Sequence, residues 1–214
     1  SRFKGQQYGI PIQTTPELLV CRQDVFQEMG LKYPETTQEL LEAAYAIQRS
    51  SIRMKAIAWN AARGTPLGHS FLFSMGSFGQ PIINLRKVEN GFDAEWPKGE
   101  ELRPMFVTDA ARDVCDFFAE LISLSPQNIL NMSWFERARA YANGEVGMAF
   151  TATLLSPMFE FDRMSPAFGK SKYVPLPAGN AGRQIAPVGG YALAIPKNVP
   201  SQRVAHIWSC LLYT

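Results

Sequence analysis

Short apolar segments of strand type alternate with longer segments of helical period along most of this chain. The segments "KAIA" and "VGMAF" have the character of buried strands, and "TTQELLEAAYAIQRSS" is a helix in which Thr36 and Glu39 fit a capping box. "TDAARDVCDFFAELISLS" carries the apolar stripe of a second helix, formed by Val114, Phe118, Leu121 and Ile122. This alternation predicts an α/β fold with a largely parallel sheet.

Further local signals complete this pattern. "QDVFQEMG" predicts a short helix that Gly30 ends in the left-handed conformation, and Ser133 with Glu136 forms another capping box. "PLGHSFLFSMGSFG" has the apolar density of a buried helix. "QPIINLRKVENGFDAEWPKGEELRP" is expected to be a strand followed by a polar excursion, in which Asn90 with Gly91 predicts a turn. A strand at "YALAI" and a helix at "PSQRVAHIWSCLLYT" follow near the end.

Composition limits the classes of function. With 214 residues and 46% apolar residues, the chain can build one large domain or two small ones. Its formal charge of +2 and the lack of a Lys/Arg cluster argue against a nucleic-acid partner. It contains no apolar run of the roughly 18 residues needed to cross a membrane, and its amino-terminal segment does not have the pattern of a signal peptide.

Cysteine and histidine are too sparse to indicate a metal site or a cofactor, so none is expected. Cys21, Cys115 and Cys210 stand among apolar neighbours and are predicted to be buried free thiols, although a bridge of Cys115 to either of the others stays open. His69 and His206 have no Cys-x-x-Cys motif or carboxylate at metal-binding spacing near them in the sequence.

Catalytic motifs are incomplete, so no catalytic residue is predicted. Gly68, His69 and Ser70 resemble the start of a nucleophile elbow, but Leu72 occupies the position of the closing glycine. Asp109 lies one helical turn from another aspartate on a face that suits solvent. An enzyme acting on carbohydrates would need two carboxylates roughly 5 to 9 Å apart in a cleft.

Aromatic, amide and guanidinium side chains in loops suggest a different kind of site. Trp59, Asn60, Arg63 and Tyr191 could bind a sugar or polyol, because rings stack on C–H faces and Asn and Arg hydrogen-bond vicinal hydroxyls. Loops at strand ends of open α/β sheets are where such ligands bind. For Trp59, a role as an anchor of the core is the alternative.

The order of several segments resembles the extracellular solute-binding proteins of bacterial ABC importers, in the large group (family 1) that takes up sugars and polyols. "YGIPIQTTPELLVCRQDVFQEMGL" is similar to that family's Gly-x-Pro segment with its following strand and helix, and "TTQELLEAAYAI" to its next helix. "ANGEVGMAF" resembles its Ala-Met strand, and "PLPAG" with "PVGGYALAIPKN" resembles its return strand.

The resemblance implies a periplasmic-binding-protein-like (type II) fold of two lobes, of which this chain covers mainly the second. Residues 1–13 would end the first lobe and cross over, 14–186 would form the second lobe, and 187–214 would cross back and start a first-lobe helix. The chain is accordingly expected to be a fragment. It would be periplasmic or extracellular and monomeric, would have ABC permease subunits as partners, and would bind a sugar, polyol or sugar acid in the cleft between lobes.

The resemblance also implies a set of ligand contacts. Family members contact the solute just after the Gly-x-Pro segment, after the Ala-Met strand, in a second-lobe loop and on the return strand. Leu154 stands where a tryptophan often lies, which puts ring stacking there in doubt. The predicted ligand-binding residues are Thr14, Thr15, Trp59, Asn60, Arg63, Thr151, Gly190 and Tyr191. An α/β enzyme and an interaction module without a small ligand remain the alternatives.

Overall fold

The computed structural model describes residues 2–89 and 91–213, which fall into two compact units. The first unit combines the segment up to Thr14 with the segment from Gly189 onward, and the second unit is Thr15–Val188. Asn90 of the predicted turn and the terminal Thr214 lie outside the described residues. In the described part of the chain, no helix has the length and apolar character needed to cross a bilayer.

Helices and strands alternate as the sequence predicts. The strands are β1 Arg2–Phe3, β2 Gln6–Gln7, β3 Ile10–Arg22, β4 Lys55–Ala58, β5 Lys87–Val88, β6 Gly91–Phe92, β7 Val146–Ala152, β8 Ser171–Val174 and β9 Val188–Leu193. The helices are α1 Gln23–Glu28, α2 Thr37–Arg49, α3 Thr65–Ser77, α4 Asp109–Leu124, α5 Trp134–Ala142, α6 Pro157–Glu160 and α7 Ser201–Tyr213.

The main sheet is mixed, so the expectation of a largely parallel sheet is wrong. Its order is β4-β7-β3-β8, and β9 also pairs with β3. β4 and β7 are parallel, whereas β3 runs antiparallel to both β7 and β8. The alternation of elements could not reveal this, because a connection that contains helices is long enough to return the chain to either end of the sheet.

Capping explains where several helices begin and end. The Glu39 amide donates to the Thr36 hydroxyl over 3.2 Å and the Glu39 carboxylate accepts from the Thr36 amide over 3.1 Å, which confirms the capping box at the start of α2. The second box, at Ser133, begins α5 as predicted. Gly30 follows α1 with a φ of 63°, the left-handed conformation that the sequence suggested.

The apolar stripe of α4 is confirmed except at one position. Val114, Phe118 and Leu121 are buried, but Ile122 is 41% exposed. Eight residues of helix rotate a side chain by about 80° beyond two full turns, so Ile122 lies at the margin of the stripe that Val114 begins. Thr108 caps this helix by accepting from the Ala111 amide over 3.2 Å.

Two further expectations are corrected by the structure. The strand expected at the start of "QPIINLRKVENGFDAEWPKGEELRP" does not form: Ile83 makes an isolated bridge with Pro104, and the short β5 and β6 that follow pair only with each other among the described strands. Cys21 is a buried free thiol as predicted, but Cys115 and Cys210 are exposed. Cys115 directly follows the buried Val114, and a rotation of about 100° per residue turns it away from the core.

The core of the second unit lies between the main sheet and its helices. Gly147 of β7 lets α2 approach closely, because a Cβ at that position would lie only 2.9 Å from the Ile47 Cδ1 atom. On α5, Tyr141 packs edge-on against Phe159 with ring centroids 4.9 Å apart. These contacts pack α2 against β7 and α5 against α6.

Candidate functional site

Three predicted binding residues of the second unit meet at one edge of the main sheet. The parallel strands β4 and β7 pair Ala58 with Ala149, so Asn60 and Thr151 lie at one level two residues further along. β3 reaches the same level from the opposite direction, because its Leu18 pairs with Thr151. Thr15 lies three residues before Leu18 on β3, further out along the strand, and its side chain projects from the sheet face of Glu17, opposite to that of Thr151. We call Thr15, Asn60 and Thr151 the binding edge.

The polar groups of the binding edge are held close to the core. Thr15, Asn60 and Thr151 are all buried, with at most 8% of any residue exposed. Among the described residues, the Thr151 hydroxyl has one long hydrogen-bond contact, 3.5 Å, to the Ala152 carbonyl oxygen. It is therefore only weakly engaged by the protein, and a solute hydroxyl could compete for it.

Asn60 combines a fixed backbone with an unengaged side chain. Its carbonyl oxygen accepts from the Ser70 hydroxyl over 2.9 Å, and the next two amides, of Ala61 and Ala62, donate to the Met132 carbonyl oxygen. Its side-chain oxygen and nitrogen are buried without a hydrogen-bond partner among the described residues. Buried side-chain amides normally have hydrogen-bond partners, so the Asn60 carboxamide is a candidate to bind a solute or a water molecule.

Trp59 and Arg63, on either side of Asn60 in the sequence, differ in burial: Trp59 is buried and Arg63 is exposed. Trp59 is 1% exposed, its indole nitrogen donates to the Ser125 hydroxyl over 3.1 Å, and its ring lies 4.7 Å from that of Phe118. The structure thus places Trp59 in the core, the second of the two roles that the sequence left open, with its ring faces covered. Arg63 is exposed in the loop that leads to α3.

A buried ion pair beside the binding edge was missed by sequence reasoning. The Arg137 guanidinium on α5 donates to both carboxylate oxygens of Glu17 on β3, one of them over 3.1 Å, although the residues are 120 positions apart. Glu17 is 3% and Arg137 0% exposed. A signal did exist, because Arg137 lies one turn before the buried Tyr141 and hence on the apolar stripe of α5.

Glu17 also joins two strands that reach this edge. It pairs with Ala152 of β7, and its amide donates to the Pro187 carbonyl oxygen over 2.8 Å, just before β9. Both of its carboxylate oxygens accept from Arg137, so the carboxylate is held in place on both sides. The ion pair therefore acts as a fixed, electrically balanced element of the site.

His69 is a second feature that the sequence did not assign to this site. Its ring lies 4.1 Å from that of Phe73 and 6.0 Å from that of Trp134, and its Nδ1 atom is buried without a partner among the described residues. Burial lowers the pKa of His69 below its ordinary value, while Glu17 raises it and Arg137 lowers it further. The neutral imidazole is thus favoured.

A small cavity lies next to Glu17 of the buried ion pair. A cavity of about 20 Å³ is lined by Glu17, Ser70, Phe73 and Phe150, among others, which is enough room for roughly one water molecule. Leu154 follows β7 at the position where the family often has a tryptophan, and it is 41% exposed. Thr15, Asn60 and Thr151 are not among the residues that line this cavity.

The remaining predicted residues belong to the first unit. Thr14 is exposed on β3, and Tyr191 on β9 is 62% exposed, so its ring is accessible. Gly190 allows the close approach of these two strands, since a Cβ there would lie 3.2 Å from the Gln13 carbonyl oxygen. Metal-binding clusters of His, Cys, Asp and Glu are absent from residues 2–89 and 91–213.

Solved structures resemble the chain over nearly its whole length. An ABC transporter solute-binding protein of Agrobacterium radiobacter K84, in complex with ribitol, matches 99% of this chain with a TM-score of 0.81 and 19% identity. Maltose-bound MalE3 of T. maritima matches 95% with a TM-score of 0.77 and 24% identity. A solute-binding protein of Agrobacterium vitis S4 with bound D-mannitol matches 96% with a TM-score of 0.75 and 21% identity.

The chain corresponds to only part of these solute-binding proteins. The chain spans about half the length of the structures it matches, namely 49%, 49% and 46% of them in the same order. No curated protein matches it significantly in sequence. The model of the bacterial extracellular solute-binding proteins matches residues 1–206. The chain therefore belongs to the family of bacterial extracellular solute-binding proteins and has their predicted type II periplasmic-binding-protein-like α/β fold.

Proposed function

We propose that this chain belongs to the substrate-binding component of an ABC importer and contributes to a site for a small carbohydrate-like solute: a sugar, a polyol or a sugar acid. The proposal is supported by the family and by the ribitol, mannitol and maltose bound to proteins of the same fold. The protein would act in the periplasm or outside the cell, as a monomer that delivers its solute to the membrane permease.

The binding edge is the observation that carries this proposal. Two threonine hydroxyls and one carboxamide lie at the same end of three neighbouring strands, and the carboxamide has no other partner among the described residues. Hydroxyl and amide groups both donate and accept, which suits the vicinal hydroxyls of sugars and polyols. The exposed Arg63 would supply further donors from the adjacent loop, and the exposed ring of Tyr191 would supply a stacking face.

Binding in this proposal makes and breaks no covalent bond. The solute would occupy a cleft between two lobes, with contacts from Thr14, Thr15, Thr151 and the segment at Gly190. Its closed form would be stabilised because the solute makes more contacts there than in the open form. The permease would then recognise the closed form. Trp59 would contribute from the core, by holding the loop that begins with Asn60.

A melting-temperature screen of the full-length protein tests this function. We expect sugars, polyols or sugar acids to raise the melting temperature, and amino acids and peptides to leave it unchanged. The substitutions Arg63→Ala and Tyr191→Ala should each lower the affinity at least tenfold, about 1.4 kcal/mol. The exposed Arg112→Ala on α4 is the matched control and should bind normally. A shift with amino acids alone would refute the carbohydrate assignment.

A further inference from the structure

We propose that Asn60, His69 and Arg137 form an internal polar subsite that binds one neutral hydroxyl group, supplied either by a water molecule or by a solute. The water form concerns this chain alone, whereas the solute form rests on the proposed function. The subsite would share Asn60 with the binding edge, and it would make an ordered hydroxyl part of the structure of the site.

Four buried polar atoms carry this inference. They are the side-chain oxygen and nitrogen of Asn60, the Nδ1 atom of His69 and the Nε atom of Arg137, and none of them has a hydrogen-bond partner among the described residues. Asn60 and Arg137 are both 0% exposed. Polar atoms buried in this way are normally bonded to protein or to an ordered water, so each of them indicates a missing partner.

Backbone and ring contacts bring the three side chains to one place. The Ser70 hydroxyl bonds the Asn60 carbonyl oxygen over 2.9 Å, which puts the turn of α3 that carries His69 beside Asn60. The His69 ring lies 6.0 Å from that of Trp134, one turn before Arg137 on α5. His69 also interacts electrostatically with Arg137. The three residues therefore converge where β4 ends and where α3 and α5 begin.

The charges of the cluster favour a neutral group over an ion. Arg137 is the cation of the cluster, and both oxygens of Glu17 balance it. An anion would have to enter beside the Glu17 carboxylate, and a cation beside the Arg137 guanidinium. A hydroxyl avoids both conflicts, since it can accept from Arg137 Nε and donate to the Asn60 oxygen at the same time.

The direct test is a high-resolution crystal structure of the full-length protein, without solute and with ribitol. We expect an oxygen atom within hydrogen-bonding distance of at least two of the three side chains. A water there in both states identifies water as the source, and replacement of the water by a ribitol hydroxyl identifies the solute. The absence of such an oxygen from both structures would overturn the proposal. If ribitol does not bind, the solute-free structure still decides the question, separately from the proposed function.

A pair of substitutions provides a second test in solution. Asn60→Leu removes the carboxamide with little change of volume, and Arg137→Lys keeps a positive charge opposite Glu17 but removes the Nε donor. If one hydroxyl bridges the two residues, Asn60→Leu should lower the melting temperature by several degrees in the wild type and by less than half as much in the Arg137→Lys background. Equal effects in the two backgrounds, or an unchanged or raised melting temperature with Asn60→Leu alone, would refute a shared hydroxyl.

Discussion

The ion pair between Glu17 and Arg137 should be the most sensitive electrostatic element of the second unit. Both side chains are almost fully buried, at 5% and 1% exposed, and the pair connects β3 with α5. Arg137→Met removes the guanidinium while keeping much of its apolar length. It leaves the Glu17 carboxylate buried without its counter-ion.

The expected magnitude follows from the burial of the pair. Removing one partner of a buried ion pair costs about 3–5 kcal/mol, because the remaining charge is neither solvated nor compensated. In a protein of this size each kcal/mol lowers the melting temperature by roughly 2–4 °C, so Arg137→Met should lower it by roughly 6–20 °C. Adding Glu17→Leu should recover most of the loss, since an apolar pair of similar volume needs no counter-ion.

Urea unfolding of the wild type, the two single variants and the double variant measures these free energies of unfolding. The control is Arg112→Met, which breaks an ion pair on α4 whose side chains are 69% and 92% exposed. Exposed pairs contribute little, so this control should unfold close to the wild type. If Arg137→Met is as mild as Arg112→Met, or if Glu17→Leu does not rescue it, the buried pair does not have the role assigned to it.

Three further predictions concern titration, packing and capping. Because burial lowers the pKa of His69, the unfolded state binds a proton more readily, so stability should fall as the pH drops below about 6.5. Circular dichroism melts should show a smaller loss of stability at low pH for His69→Phe than for the wild type. An equal loss in both proteins would contradict an origin in His69. Gly182→Ala should destabilise the protein strongly, because its Cβ would lie 1.6 Å from the Ser77 carbonyl oxygen. Gly68→Ala in α3 meets open space and should raise the melting temperature or leave it unchanged. A lower melting temperature for Gly68→Ala than for Gly182→Ala would refute the packing. Thr36→Ala should cost about 1 kcal/mol in urea unfolding through loss of the α2 cap, and Thr36→Ser should cost little; equal losses would point away from capping.

The elements of this fold could be predicted because their signals are local. The Thr36 box, the Ser133 box and the left-handed Gly30 each act within a few residues, and the structure confirms all three. The direction of β3 in the sheet depends on how distant strands meet. No periodicity in the sequence contains that information, and the expectation of a largely parallel sheet failed for this reason.

Some residues of the candidate site could be predicted from the sequence and others could not. The ordered family segments led to Thr15 and Thr151, and residue type led to Asn60, because strand ends carry ligands in this class of fold. Glu17 and Arg137 could not be paired from the sequence, since they are 120 positions apart and no motif relates one to the other. Trp59 shows the converse limit, because a tryptophan beside a strand end suits both a ligand platform and the core, and only packing decides between them.

Hydrogen exchange of the full-length protein, with and without the solute that raises its melting temperature most, tests the central claim most directly. We expect the solute to slow exchange in peptides covering residues 15–17, 60–63 and 151–155, which contain the binding edge and its flanking loops. Peptides that contain β5 and β6 should be unaffected, because neither strand belongs to the main sheet. Slower exchange at 87–92 without any change at the binding edge, or no change anywhere at a saturating concentration, would contradict a solute site at this edge.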